Sequence, residues 1–140
     1  MRRSIKLFKN NEKGQALVEF ALVLIPLTFL IMGILEFGWL FNGQITLTGA
    51  AREGARAAVV SEDIDAAETA ATEAVLRHVA TSSVTVVEDD VTVTDGVDGE
   101  LLVAVQGNIN PLVGFFVRNT FTLNADASMR KEFDIDFGEG

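Results

Sequence analysis

The chain has 140 residues, no cysteine and a formal net charge of −9. This length fits one small domain in addition to any membrane segment, and the lack of cysteine excludes a disulfide framework, a thiolate metal site and a cysteine nucleophile. Residues 1–14 carry five lysine or arginine side chains and one glutamate, a net +4, so residues 15–140 carry −13. Because phosphate binding needs clustered lysine and arginine, this acidic main part argues against a nucleic-acid partner.

The first predicted element is a basic cytoplasmic leader over residues 1–14. Lysine and arginine next to a membrane segment mark its cytoplasmic side. We therefore expect a single-pass protein of the cytoplasmic (inner) membrane, with its N-terminus inside and its C-terminal domain extracytoplasmic.

The second predicted element is a transmembrane helix over residues 15–41. Its centre, residues 20–35, contains no charged side chain. This centre is slightly shorter than the roughly 20 residues that cross a bilayer, and its apolar flanks supply the rest, with Glu19 and Glu36 near the two ends. Trp39 stands where an aromatic side chain commonly anchors a helix at the membrane interface.

Two other interpretations of this apolar stretch are weaker. A buried helix of a soluble domain would need more surrounding chain than the remainder provides. A cleaved secretory signal has an apolar core of about 7–15 residues, followed closely by a small-x-small site. Here the apolar stretch is longer, and the nearest small cluster lies well beyond it, at residues 49–51.

A glycine stands at the border between the basic and apolar stretches, and a lone glutamate follows five residues later. These are Gly14 and Glu19. A carboxylate in a membrane segment costs up to about 2.5–3.5 kcal/mol at the bilayer centre and less near the interface, so a function for Glu19 is expected. The spacing, with Phe20 next, resembles a type IV prepilin cleavage site. The resemblance implies that a membrane-embedded prepilin peptidase cleaves between Gly14 and Gln15.

Cleavage at this position would have a direct electrostatic consequence. It removes the basic leader and creates a charged amine at the start of an apolar helix. Glu19 of a neighbouring subunit can neutralise that amine inside a packed helical bundle. A buried ion pair contributes little stability but can fix register and partner, so we assign Glu19 to subunit registration.

The resemblance extends further along the chain. Two segments carry it: residues 36–38, which read Glu-Phe-Gly, and residues 48–57, which read Thr-Gly-Ala-Ala-Arg-Glu-Gly-Ala-Arg-Ala. Together with the leader they resemble the TadE-like family of tight-adherence pilus pseudopilins. The resemblance implies a minor pseudopilin that takes part in pilus assembly, at its initiation, base or tip. Its partners would be the membrane, the peptidase and other pilins or pseudopilins of the same apparatus.

A stalk helix is predicted over residues 42–60, continuing the membrane helix. Small residues recur along it at helical spacing, which lets helix backbones approach closely. They either pack against the chain's own second helix or form a docking surface between subunits. The residues assigned to helix packing or assembly are Glu36, Gly49, Arg52, Gly54, Arg56 and Ala57.

Residues 61–132 are predicted to form an extracytoplasmic α+β domain. Ser61 is a predicted N-cap for an amphipathic helix over residues 62–80, after which the apolar period changes to two. Residues 101–105 are apolar on both faces and predict a central strand, and residues 121–129 alternate as a strand with one wet face. We expect a small antiparallel, pilin-like sheet, with the second helix and part of the stalk covering one face.

Two further stretches leave alternatives open. Residues 110–116 form a strongly apolar connection, which we expect in the core or near the membrane, with a partner contact less favoured. The acidic and apolar tail, residues 133–140, is either a continued strand or a loose end. Alternatively, it adds to the edge of a partner's sheet.

Sequence motifs of catalysis are missing. The acidic clusters at residues 88–90 and 95–100 do not have EF-hand spacing, and there is no phosphate loop, serine elbow or His-Glu-x-x-His motif. His78, the single histidine, is interpreted as a helix-dipole partner near a C-terminus. We expect no enzyme activity, cofactor, metal or small-molecule substrate.

The alternative function is an uncleaved, single-pass, membrane-anchored binding module that faces the cell exterior. The spacing between Gly14 and Glu19 argues against it, because an ordinary anchor does not need that spacing.

Overall fold

The computed structural model describes residues 12–96, 99–114 and 118–131. Most of the basic leader, the tail at residues 133–140 and part of the connection at residues 110–116 lie outside them. The predicted fold class is confirmed: a long N-terminal helix, a second helix and a small antiparallel sheet form an α+β fold.

The first helix, α1, is Glu12–Ala58, with 47 residues. At 1.5 Å per residue it is about 70 Å long. It runs through the predicted membrane and stalk segments without interruption, and Pro26 lies inside it. Residues 15–31 are all exposed, whereas buried residues begin at Glu36. One helix therefore has two halves, of which only the second contacts the rest of the chain extensively.

The second helix, α2, is Ile64–Val79. Its N-cap is Asp63, whose Oδ1 accepts a 2.7 Å hydrogen bond from the Ala66 N–H. The prediction of Ser61 as the cap was wrong. The Ser61 N–H donates to the Ala58 carbonyl, so Ser61 belongs to the turn that ends α1, whereas Asp63 has the extended backbone that an N-cap adopts.

Four strands form the sheet, and all pairings are antiparallel. They are β1, Val84–Thr85; β2, Val91–Asp95; β3, Glu100–Ile109; and β4, Phe121–Arg130. The central strand is β3, as predicted. It pairs with β4 along its whole length, from Glu100 opposite Arg130 to Ile109 opposite Phe121. Its other edge pairs with β2 near its start and with β1 near its end.

The core lies between α2, the second half of α1 and one face of the sheet. The largest fully buried side chains are Leu47, Val75, Leu101, Val103, Val105 and Ile109. Alanines fill most of the α1–α2 contact, and this lets the two helices approach closely. Although β3 is apolar on both faces, only one of its faces is buried, because the helices cover only one side of the sheet. On the other face, Leu102 is 39% exposed.

Two glycines bring α1 close to the sheet. A Cβ on Gly43 would lie 2.6 Å from Ile109 Cδ1, and one on Gly107 would lie 2.6 Å from Val84 Cγ1 and 2.9 Å from Leu47 Cδ1. Cβ atoms essentially never approach a neighbour so closely. Only glycine therefore fits at these two positions without a shift of the neighbouring side chains.

The central strand runs antiparallel to α1, towards the exposed half of the helix. Gly54 lies next to Val103, and Gly43 lies next to Ile109, further down the helix. The connection between β3 and β4 therefore lies at the level where the exposed apolar half of α1 ends, near Glu36.

Candidate functional site

The exposed half of α1 carries the most unusual surface of the molecule. Large apolar side chains between Leu17 and Leu35 are exposed; Leu22, for example, is 70% exposed. Among the described residues, one helix is long and apolar enough to cross a membrane, and it is this one. Exposed apolar area on this scale is typical of a binding or membrane surface.

The predicted cleavage residues lie at the beginning of this half. Gly14, Gln15, Glu19 and Phe20 all belong to α1, and Gly14 is two residues from the first residue of the helix. Glu19 is exposed and has no hydrogen bond or ion pair within the described residues. Among the described residues, no group neutralises this carboxylate, so it is available to another group.

The other predicted carboxylate has a different environment. Glu36 is only 6% exposed. Its Oε1 accepts a 3.1 Å hydrogen bond from the Leu112 N–H, and its Oε2 accepts a 2.8 Å hydrogen bond from the Val113 N–H. Both oxygens of a buried carboxylate are thus paired, each with one of two successive backbone donors. Such charge-assisted hydrogen bonds offset the cost of removing the carboxylate from water.

Two further hydrogen bonds hold the same end of the sheet to α1. The Trp39 indole N–H donates to the Asn110 carbonyl at 3.1 Å, and the Gln44 side-chain amide donates to the Asn124 carbonyl at 2.9 Å. Together with Glu36 they attach β4 and the first part of the connection to α1.

A hydrogen bond joins the two ends of the connection between β3 and β4. The Thr120 hydroxyl donates to the Asn110 side-chain carbonyl at 3.0 Å. Gly114 has a φ of 63°, a left-handed conformation that favours glycine. Leu112 is 50% exposed, although its backbone N–H is bound to Glu36. We call residues 110–114, the part of this connection that directly follows β3, the junction loop.

The predicted stalk residues divide into two groups. A Cβ on Gly54 would lie 2.8 Å from Val75 Cγ2 of α2, and one on Gly49 would lie 3.0 Å from His78 Nε2. These glycines contact the chain's own second helix. Arg52 and Arg56 are exposed and Ala57 is half-buried. Within the described residues, neither arginine takes part in an ion pair.

The sequence identified Glu36 but not its partners. Local patterns do not reveal a contact between residues 76 or 77 positions apart. Two signals were present: a lone carboxylate at the end of an apolar helix, and an apolar connection with a proline and a glycine. Neither signal indicates that the two features touch.

The described residues lack a candidate metal centre. They contain no cluster of three or more histidine, aspartate and glutamate side chains placed to hold a metal ion. A groove of about 690 Å³ between α2 and β2 is lined by carboxylates, threonines and a few apolar side chains.

The model of one family, described as TadE-like protein, matches residues 14–56. The resemblance to the TadE-like family is confirmed. The match covers 43 of the 140 residues, which is most of α1 and none of α2 or the sheet. The searches of curated proteins and of solved structures give no match.

The TadE-like match suggests where a protein with this exposed apolar helix acts. It associates the chain with tight-adherence pilus systems, and the exposed apolar helix is consistent with a membrane-anchored component of such a system. The matched segment begins at Gly14 and ends within the part of α1 that packs on α2.

Proposed function

We propose that this chain is a minor pseudopilin that takes part in assembling a tight-adherence pilus. A prepilin peptidase removes residues 1–14, and α1 then holds the protein in the cytoplasmic membrane with its α+β domain outside. The observation that carries the proposal is the TadE-like match over residues 14–56, which begins at the predicted cleavage glycine.

Three properties of the described residues support an anchored assembly component. The first half of α1 is exposed and apolar, which suits a bilayer or a bundle of similar helices. Glu19 on that half has no hydrogen bond or ion pair among the described residues, so it is available to a neighbouring subunit. The second half of α1 is packed into the outer domain, so a force on the helix is transmitted to the domain directly.

The size of the outer domain favours a minor component. Its two-helix and four-stranded layout presents a large acidic surface, which provides recognition surfaces that a pilin consisting of one helix lacks. We place its role at the initiation, base or tip of the fibre.

Pilus assembly in a deletion strain tests this function. Loss of the gene should greatly reduce surface pili, as counted by electron microscopy, and the wild-type chain should restore them. Glu19→Ala should fail to restore them although the protein accumulates in the membrane. The matched control is Glu53→Ala, which removes an exposed carboxylate from the same helix beyond the apolar half and should restore pili fully.

Normal pilus numbers in the deletion strain would contradict the proposal. The alternative, an uncleaved anchored binding module, predicts that result, together with full activity of Glu19→Ala in any binding assay of the outer domain.

A further inference from the structure

We propose that the junction loop is a second membrane contact, which inserts its apolar side chains into the interface of the same bilayer that α1 crosses. This inference rests on the proposed membrane anchoring of α1. It adds a site in the outer domain that recognises lipid and that sets how the domain sits on the membrane.

The position of the loop along α1 is fixed by Glu36. Hydrogen bonds of 3.1 and 2.8 Å join its carboxylate to the N–H groups of Leu112 and Val113. Side chains on a helix tilt towards its N-terminus, which here is the membrane side. The loop therefore lies at the level of residue 36 or slightly closer to the membrane.

The bilayer surface falls at the same level. The hydrocarbon core is about 30 Å thick, and residues 15–35 of α1 span about that length at 1.5 Å per residue. If the bilayer is instead centred nearer to the C-terminal end of the apolar segment, the loop lies deeper in the membrane. Either placement brings Leu112 to lipid rather than to bulk water.

The composition of the loop fits this location. Leu112 is half exposed although it belongs to a tightly held loop, and Pro111, Val113 and Gly114 are uncharged. The whole connection, residues 110–120, contains one charged residue, Arg118, which is exposed. A cation beside apolar side chains suits the boundary between acyl chains and anionic headgroups.

Three backbone groups of the loop are satisfied within the protein. Two of its N–H groups are bound by Glu36, and the Asn110 carbonyl accepts the Trp39 indole N–H. Backbone groups that enter a membrane must be satisfied within the protein. Trp39 itself lies at the depth where tryptophan is enriched in membrane proteins.

The end of the sheet opposite the junction loop carries charged residues of both signs, among them Asp95, Glu100 and Arg130. Asp95 pairs with Leu101, which is eight residues along β3 from Ile109. At about 3.3 Å per residue this carboxylate lies roughly 26 Å from the membrane end of the strand. The described charged residues at this end of the sheet, Asp95, Glu100 and Arg130, are thus far from the lipid.

Depth-dependent fluorescence quenching tests the inference, and the absence of cysteine makes single-site labelling simple. The full chain would carry a fluorophore at Leu112→Cys, Leu27→Cys or Thr94→Cys. Each would be reconstituted into phosphatidylcholine–phosphatidylglycerol vesicles with nitroxide lipids labelled at the headgroup or deep in the acyl chain. Leu27 is in the apolar half of α1, and Thr94 is an exposed residue of β2.

We expect the headgroup nitroxide to quench most of the emission of the probe at Leu112. The deep nitroxide should quench the probe at Leu27, and neither nitroxide should quench the probe at Thr94. A Leu112 probe that behaves like the Thr94 probe, while Leu27 is quenched, would overturn the inference and leave the anchor intact. An unquenched Leu27 probe would overturn the anchor, and the loop contact with it. Quenching of Leu112 that depends on protein density in the vesicle would indicate a protein partner and would also overturn it.

A second variant tests the role of Glu36 in holding the loop. In the Leu112→Cys chain, Glu36→Leu should reduce shallow quenching markedly, whereas Glu53→Leu should not change it. Helical content by circular dichroism should be the same in both. Unchanged quenching in Glu36→Leu would contradict the claim that this carboxylate sets the depth of the loop.

Discussion

Glu36 and Val113 are 77 positions apart in the sequence, yet Glu36 Oε2 accepts a 2.8 Å hydrogen bond from the Val113 N–H. This contact joins the end of the apolar helix to the turn of the sheet that lies nearest to it. The α+β domain is therefore attached directly to α1 at the level where the exposed apolar half of the helix ends.

Removal of the Glu36 carboxylate should destabilise the outer domain. Glu36→Ala leaves the N–H groups of Leu112 and Val113 without their partners, and we expect a loss of about 2–3 kcal/mol in the free energy of unfolding. Denaturant titration in detergent micelles measures it, with the single tryptophan, Trp39, as the fluorescent reporter at the junction. Glu53→Ala is the control and should change stability by less than about 0.5 kcal/mol. Equal stabilities for the two variants would contradict the structural role of Glu36.

The close contact of α1 with α2 should make Gly54 intolerant of a side chain. Its Cβ would meet Val75 Cγ2 at 2.8 Å, so Gly54→Val should cost about 1–3 kcal/mol by overpacking. Gly38 is the matched control, since a Cβ there meets nothing within 4 Å. Gly38→Ala should raise stability by up to about 1 kcal/mol through helix propensity. The same unfolding titration reports both values, and a stabilised Gly54→Val would show that the two helices pack differently.

The N-cap of α2 gives a test that separates two neighbouring residues. Asp63→Ala removes the acceptor of the Ala66 N–H and should cost about 1 kcal/mol. Ser61→Ala should stay within about 0.5 kcal/mol of the wild type. Thermal unfolding followed by circular dichroism compares them. A larger loss of stability in Ser61→Ala than in Asp63→Ala would indicate that Ser61 is the N-cap, as the sequence alone predicted.

The exposed arginines of α1 should matter for assembly and not for folding. Arg52→Glu with Arg56→Glu reverses two charges on an outer surface, so the unfolding free energy should change little, whereas pilus number in the complemented deletion strain should fall. The control is Arg77→Glu, which breaks an exposed 3.2 Å ion pair with Glu73 that contributes little to stability. If the double variant and the control assemble pili equally well, the arginines have no docking role.

Several elements followed from local patterns. The long apolar stretch predicted α1, and its predicted extension into the stalk matches a helix that ends at Ala58. The alternation of apolar and polar residues predicted β4, because a strand that packs on one face must alternate. An apolar run over residues 101–105 predicted β3. The central position of β3 was predicted from its apolar content, because a strand with neighbours on both edges is the best shielded from water.

Other features depend on contacts that no local pattern encodes. Whether Leu102 is buried depends on which face of the sheet the helices cover. The choice of Asp63 over Ser61 as the cap depends on where the turn after α1 ends. The partners of Glu36 depend on the register between β3 and α1, which Gly43 and Gly107 set by allowing close approach.

The most direct test of the proposed function is the N-terminus of the mature protein. Intact mass and N-terminal sequencing would be carried out on protein from native membranes, in strains with and without the prepilin peptidase, and for Gly14→Arg. We predict a chain that begins at Gln15 only when both the peptidase and Gly14 are present. A chain that begins near Met1 in every strain would contradict a processed pseudopilin and would favour an uncleaved membrane anchor.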